Sequence, residues 1–218
     1  MISNFSQITE FMDEVDKLLE IPVHLYLIGG GMMLFQKLKT ATKDIDLIVE
    51  TRREFGEVES VLRKSGFRSG MPVVRWQGKA DLSQILIRGE LRIDLFQKKV
   101  CGGFSLTESM KKRGTEVLRL KKVTLSACSL EDVFILKTFT ERPGDIDDCV
   151  ALAKKSLNWK VVLREIRLQV RRSGNPVWIT WIGERLDLLK EREVLIPIMN
   201  QVDKLRLAYF DDYEKRHP

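Results

Sequence analysis

Residues 27–50 read LIGGGMMLFQKLKTATKDIDLIVE. An apolar run ends in three glycines, a short amphipathic segment follows, and the stretch closes on alternating Asp44-Ile45-Asp46-Leu47. In a strand successive side chains alternate faces, so Asp44 and Asp46 point to one side while Ile45, Leu47 and Val49 point to the other. Two carboxylates held side by side repel each other unless a cation neutralises them. Hard oxygen donors with few histidines or cysteines nearby suit Mg2+ or Mn2+ better than zinc.

Working outward, Val23 to Ile28 reads as a buried strand and Met32 to Lys39 as a short helix after Gly29-Gly30-Gly31. Asp44 to Glu50 is the second strand. Upstream, Ile8, Phe11, Met12, Val15, Leu18 and Leu19 recur at helical spacing, predicting an amphipathic helix that ends near Glu20 and Pro22. Downstream, Phe55, Val58 and Leu62 give a second such helix closing at Gly66, and Ser83 to Arg88 with Leu91 to Phe96 flank Gly89-Glu90 as a hairpin. The hairpin's second arm carries RIDLF, residues 92–96, in which Asp94 is a third carboxylate on a strand able to lie beside the first. Three clustered carboxylates can hold two metal ions roughly 3.5–4 Å apart, one activating an attacking hydroxyl and one stabilising a leaving pyrophosphate.

The glycine triplet admits two readings. It is a simple turn, or its bare amides and the start of the following helix receive phosphate oxygens at Gly29, Gly30 and Gly31, with Lys43 and its neighbours Lys37 and Lys39 supplementing the charge.

The first hundred residues predict an α/β (α+β) fold, a small mixed sheet with helices on one side, and Gly102-Gly103 is the expected boundary. This gives domains 1–103 and 104–218. Val117 to Ala127 reads as a strand pair or extended connection, after which helices dominate. Ser129 and Asp132 start one that runs to about Thr140, with Pro143-Gly144 breaking it. Asn158 caps one ending at Gly174, and Asn175-Pro176 caps the next, whose apolar residues include Trp178 and Trp181. Leu195, Met199, Val202, Leu205 and Tyr209 mark the last helix.

Composition bounds the function classes. Of 218 residues, 44% are hydrophobic and 31% charged, the mix of an ordinary folded protein. No apolar run reaches the roughly 18 residues of a membrane span, and the acidic amphipathic N-terminus is unlike a signal peptide, so a cytoplasmic protein without a membrane partner is expected. Cys101, Cys128 and Cys149 are too scattered for a disulfide framework or a CxxC site. No G-x-S-x-G or Walker loop is present, and His24 and His217 give no hydrolytic triad. A net charge of +6 permits an anionic partner. Lys160, Arg164, Arg167 and Arg171 line one helix face, either as an RNA-binding stripe or as a solvated face.

The 27–50 stretch, followed by RIDLF, resembles the signature of minimal nucleotidyltransferases of the DNA polymerase β-like superfamily. The resemblance implies that Gly29 and Gly30 take the loop positions, Asp44 and Asp46 the paired metal-ligand positions, and Asp94 the third acidic position. A nucleoside triphosphate would be the substrate. Many members carry Gly-Ser in the loop, whereas Gly30 offers no hydroxyl. A second stretch, SLEDVFILKTFTERPGDIDDC at 129–149, is similar to a segment of abortive-infection and toxin-type nucleotidyltransferases. It implies a toxin of a toxin–antitoxin pair, with Lys137 facing nucleotide phosphates and Arg142, Asp145 and Asp148 forming an R-x-x-D-x-x-D element. Plain helix chemistry competes there, with Asp145 as an N-cap and Arg142 as a surface charge. The expected reaction moves a nucleoside monophosphate onto a hydroxyl of RNA, protein or a small molecule, at a site facing the cleft between the domains. The alternative is a non-catalytic nucleotide- or partner-binding module on the same fold.

Overall fold

The computed structural model describes residues 1–70, 83–140 and 142–217. It divides into two compact units, Met1–Ser129 and Leu130–Pro218.

In the first unit the described elements are α1 (Phe5–Leu18), β1 (Val23–Ile28), α2 (Gly29–Phe35), β2 (Asp44–Val49), α3 (Arg52–Lys64), β3 (Arg68–Ser69), β4 (Ser83–Arg88), β5 (Leu91–Gln97), β6 (Lys99–Val100), β7 (Phe104–Ser105), α4 (Glu108–Arg113), β8 (Thr115–Arg119) and β9 (Val123–Ala127). Seven strands form one mixed sheet in the order β3-β4-β5-β2-β1-β9-β8, while β6 and β7 pair separately. The β4–β5 hairpin forms as its sequence predicts, antiparallel around Gly89-Glu90. β5 then lies parallel to β2, and β9 lies parallel to β1.

That last pairing carries the unit past Gly102-Gly103 to Ser129. β8 and β9 pair with each other as well, so the 115–127 segment completes the sheet of the first unit rather than opening a helical one.

Period-two alternation gives the sheet two unlike faces. Leu25, Leu27, Ile45, Leu47, Ile93, Leu95, Val123 and Leu125 are all buried on one side, each apolar side chain contributing roughly 1.5–3 kcal/mol on removal from water. Helices α1 and α3 bring Ile8, Phe11, Met12, Val15, Phe55, Val58, Val61 and Leu62 to the core. Both open with capping boxes, Asn4 with Gln7 and Thr51 with Glu54, and a side-chain cap is worth about 1 kcal/mol. Asp16 of α1 accepts the Lys122 and Val123 amides at 2.6 and 2.7 Å, tying the helix to the start of β9. Leu18, expected on the apolar face of α1, is instead 46% exposed, and Leu19 takes the buried place just beyond the helix.

The second unit is helical: α5 (Leu130–Thr138), α6 (Pro143–Ala153), α7 (Trp159–Ser173), α8 (Trp178–Glu191) and α9 (Met199–Arg216). α7 begins at an Asn158 cap and ends at Gly174, whose φ of 68° suits the left-handed C-terminal position. Proline 143 opens α6. Asn175 does not cap α8; the chain makes a further turn and the helix starts at Trp178. Trp178 is buried as expected, but Trp181 is 50% exposed.

Candidate active site

The polar side of the first sheet is written in the register. Asp46 lies opposite Ile28 on one neighbouring strand and Asp94 on the other, and Asp44 lies opposite Arg92. Register partners project to the same face, so the three aspartates and Arg92 converge on one patch. One carboxylate oxygen from each of Asp44, Asp46 and Asp94 lies within 4.8 Å of the others. Asp46 and Asp94 are 9% and 7% exposed, and Asp44 is half-buried.

These residues fit a divalent cation. The donors are hard carboxylate oxygens, they sit on rigid strands of one sheet, and the backbone beside them leaves room for nothing but hydrogen. A methyl group on Gly29 would lie 2.0 Å from Asp46 Oδ2 and 2.9 Å from its Cγ. One on Gly30 would lie 2.2 Å from Thr42 Oγ1, and one on Gly31 would lie 2.9 Å from Leu27 Cδ1. The triplet therefore starts α2 itself, three residues earlier than the sequence pattern predicts. Close approach of Gly29 to Asp46, of Gly30 to Thr42 and of Gly31 to Leu27 outweighs the poor helix propensity of glycine. Gly29 has φ of +59°, the left-handed region that glycine enters without strain.

Two side chains at this patch carry no distinct signal in the sequence pattern. Thr42 donates to the Asp44 backbone carbonyl at 3.2 Å and to Asp44 Oδ1 at 3.4 Å, while its own backbone pairs with Ile2 in an isolated bridge. Arg92 grips Asp94 with both arms, Nε to Oδ1 and Nη2 to Oδ2, each at 2.7 Å. The hydrogen bonds to Asp94 raise the Arg92 pKa despite the opposing effect of burial, with Asp94, Asp44 and Asp46 adding their charges. Lys43, expected near the phosphates, is exposed.

Farther along the same face, His24 Nε2 meets Ser126 Oγ at 2.8 Å and its ring stacks on Tyr26, centroids 4.3 Å apart. Burial holds the imidazole below its ordinary pKa, so it is neutral near pH 7.

In the second unit the 129–149 motif is folded around one ammonium. Lys137 Nζ lies 2.7 Å from Asp145 Oδ1 and 2.7 Å from Asp148 Oδ2, all three residues being buried. Burial works to raise the Asp145 pKa, but hydrogen bonds from Lys137 and Thr140 and the charges of Lys137 and Arg142 hold it below the usual carboxylate value. Asp145 is not the N-cap of α6. That position belongs to Arg142, whose amide Asp145 Oδ2 accepts at 3.2 Å from the third helical position. On α7, Lys160, Arg164, Arg167 and Arg171 are all exposed, opposite buried Val162 and Ile166. Among the described residues no helix is long and apolar enough to cross a membrane.

Among solved structures, ANT(2")-Ia in complex with adenylyl-2"-tobramycin is similar at 15% identity over 77% of this chain and 98% of that one, with a TM-score of 0.50. TM1012 from Thermotoga maritima matches 62% of this chain and 83% of its own at 15% identity and a TM-score of 0.42. JHP933 from Helicobacter pylori spans 100% of this chain and 97% of its own at 14% identity and a TM-score of 0.40. No curated protein sequence gives a significant match. Residues 3–170, well over half of the sequence, match the family described as nucleotidyltransferase of unknown function (DUF6036), and the chain belongs to that family of enzymes.

Proposed function

We propose that the protein is a metal-dependent enzyme that transfers a nucleoside monophosphate from a nucleoside triphosphate to a hydroxyl acceptor, with Asp44, Asp46 and Asp94 as its metal-ligating and catalytic residues. The observation that carries this reading is the convergence of the three carboxylates within 4.8 Å on one sheet face, in a chain of a nucleotidyltransferase family. The three aspartates would hold Mg2+ or Mn2+, which when bound supplies positive charge to the triphosphate and lowers the pKa of the acceptor hydroxyl.

The chain's own residues do the rest. Asp94 accepts the acceptor's proton as its oxygen attacks the α-phosphorus; the bond from that phosphorus to the β-bridging oxygen breaks and pyrophosphate leaves. Gly29 lets the backbone pass against the Asp46 carboxylate, where a methyl group would overlap it, and Gly30 and Gly31 do the same against Thr42 and Leu27. Lys137 serves the nucleotide only by leaving the two carboxylates it now bridges, so we assign it first to the second unit's stability.

RNA is the acceptor we favour, because four exposed cations repeat along α7 and phosphate contacts dominate RNA affinity. The similarity of the 129–149 segment to toxin-type enzymes adds a growth-inhibiting role, readable as arrest on induced expression of the wild type but not of an inactive variant.

Pyrophosphate release is to be measured with Mg2+, each nucleoside triphosphate and total RNA, for the wild type and Asp46→Asn. Activity in the wild type and a loss of at least about a hundredfold in the variant are expected. Equal release from both would overturn the site. Arg164→Glu with Arg167→Glu should weaken RNA binding and lower its salt slope by roughly one counterion per lost contact. Unchanged binding would move the acceptor to a small molecule or protein. Saturable nucleotide binding without product under every condition would leave a binding module.

A further inference from the structure

Arg92 stands where a cation is wanted. It lies two residues before Asp94 on β5, hence on the same face, and directly across from Asp44 on β2. Its guanidinium engages both oxygens of Asp94 at 2.7 Å, the two-pronged geometry that makes arginine–carboxylate pairs strong and directional. A divalent ion and a guanidinium therefore claim the same carboxylate. Arginine keeps its charge at any accessible pH, so it yields by moving, not by losing a proton. Its side chain is 39% exposed against 10% for Asp94, which leaves it solvent to swing into.

Resting on the metal-dependent reading above, we propose that Arg92 is the built-in counter-ion of the acidic triad, a positioning residue that competes with divalent metal for Asp94 and thereby sets metal affinity. With Arg92 engaged, the four side chains sum to two negative charges instead of the three of the aspartates alone. Metal binding at Asp94 then works against the guanidinium's charge and is strongest when at least one carboxylate oxygen is ceded. The guanidinium so freed remains beside the site as a positive charge able to meet a triphosphate oxygen. Arg92 thus lowers metal affinity while steadying the carboxylates against one another.

The sign of one measurement separates this from a purely structural role. If Arg92 only orients Asp94, removing it misplaces a ligand and metal binds more weakly. If it competes, removing it makes metal bind more tightly. Mn2+ is to be titrated calorimetrically into the chelator-treated full chain as wild type, Arg92→Ala, Arg92→Gln and Arg92→Lys, with Asp46→Asn alongside. Arg92→Ala and Arg92→Gln should bind about tenfold more tightly, equivalent to about 1.4 kcal/mol, and Arg92→Lys should stay near the wild type because the charge remains. Chelated Arg92→Ala should also melt below the wild type, with the gap closing as Mn2+ is added. Should Arg92→Ala fail to fold, the neutral Arg92→Gln carries the comparison. Equal or weaker binding in the neutral variants, while Asp46→Asn abolishes wild-type binding, overturns the role of Arg92 and leaves the metal site standing. No binding by the wild type, or full binding by Asp46→Asn, removes the metal site and this inference with it.

Discussion

Replacing Gly29 with alanine tests the site through the backbone, without touching a charged group. Two penalties act together. At φ of +59° an alanine costs roughly 1–2 kcal/mol over glycine. Its methyl also lands 2.0 Å from Asp46 Oδ2 and 3.3 Å from Asp46 Cβ, so the carboxylate has to rotate away, with off-rotamer strain of about 0.5–1.5 kcal/mol if no clean alternative exists. The lost flexibility of the unfolded chain returns about 0.4–1 kcal/mol. The net is a destabilisation of about 0.5–3 kcal/mol and a melting point lower by roughly 1–12 °C. Function should suffer far more than stability, because the displaced group is a proposed metal ligand. Mn2+ affinity and pyrophosphate release should both fall at least about tenfold while circular dichroism still reports a folded chain. Gly56→Ala is the control: it lies within α3, its added methyl meets nothing within 4 Å, and the change should stabilise by about 0.5–1 kcal/mol. Wild-type metal affinity and activity in Gly29→Ala would refute the claim that Asp46, oriented as it is here, is a ligand.

Lys137→Met leaves Asp145 and Asp148 buried and facing each other without their shared ammonium, so unfolding titrations should show a loss of about 3–5 kcal/mol, partly restored by adding Asp148→Asn; a weakened nucleotide affinity at unchanged stability would return Lys137 to the phosphates. Dithionitrobenzoate should titrate Cys101 alone in the native chain and all three thiols in denaturant, since Cys128 and Cys149 are buried and burial pushes the Cys149 thiol up to about 12; rapid modification of two thiols in the native chain would contradict this. His24 sits below its ordinary pKa because it is buried, so the unfolded chain takes up its proton first as pH falls. The stability it contributes is present above about pH 6.5 and lost below it, and the drop in urea midpoint between pH 7.5 and 5.5 should be smaller in His24→Gln than in the wild type.

What the sequence disclosed and what it withheld follow from the distance over which each signal acts. Asp44 and Asp46 share a face by alternation alone, and the β4–β5 hairpin needs only its two-residue turn, so the three carboxylates could be brought near one another from local pattern. The α7 boundaries were equally local, fixed by Asn158 and Gly174. The parallel pairing of β1 with β9 joins Val23 to Val123, and nothing near either strand announces it. For that reason Gly102-Gly103, a visible pair of breakers, drew a boundary that the sheet passes over. Arg92 obeys the same alternation as Asp94 and was legible in principle. The pattern alone does not single it out, because a charged residue at a strand start ordinarily reads as solvated, and only the 2.7 Å distances reveal its target. Trp181 misled in the opposite way, since large aromatic residues are buried on average and this one is half exposed.

The two faces of the sheet also explain how three carboxylates are tolerated together. The residues between them, Ile45, Leu47, Ile93 and Leu95, are wholly or almost wholly buried on the other side, so the backbone that presents the aspartates is held by core packing and by the ladder between β2 and β5. Their mutual repulsion cannot relax by moving a strand. It can relax only through side-chain rotation or a countercharge; the first turn of α2 lies against Asp46 and limits the first, and Arg92 on Asp94 supplies only part of the second. A site built this way stores unfavourable electrostatics on a rigid support, which favours cation binding over conformational escape. Neutralising Asp44 or Asp46, neither of which Arg92 clasps, should therefore weaken metal binding without a cost in fold stability. A variant that loses metal and unfolds together would mean that the carboxylates hold the sheet, and not the sheet the carboxylates.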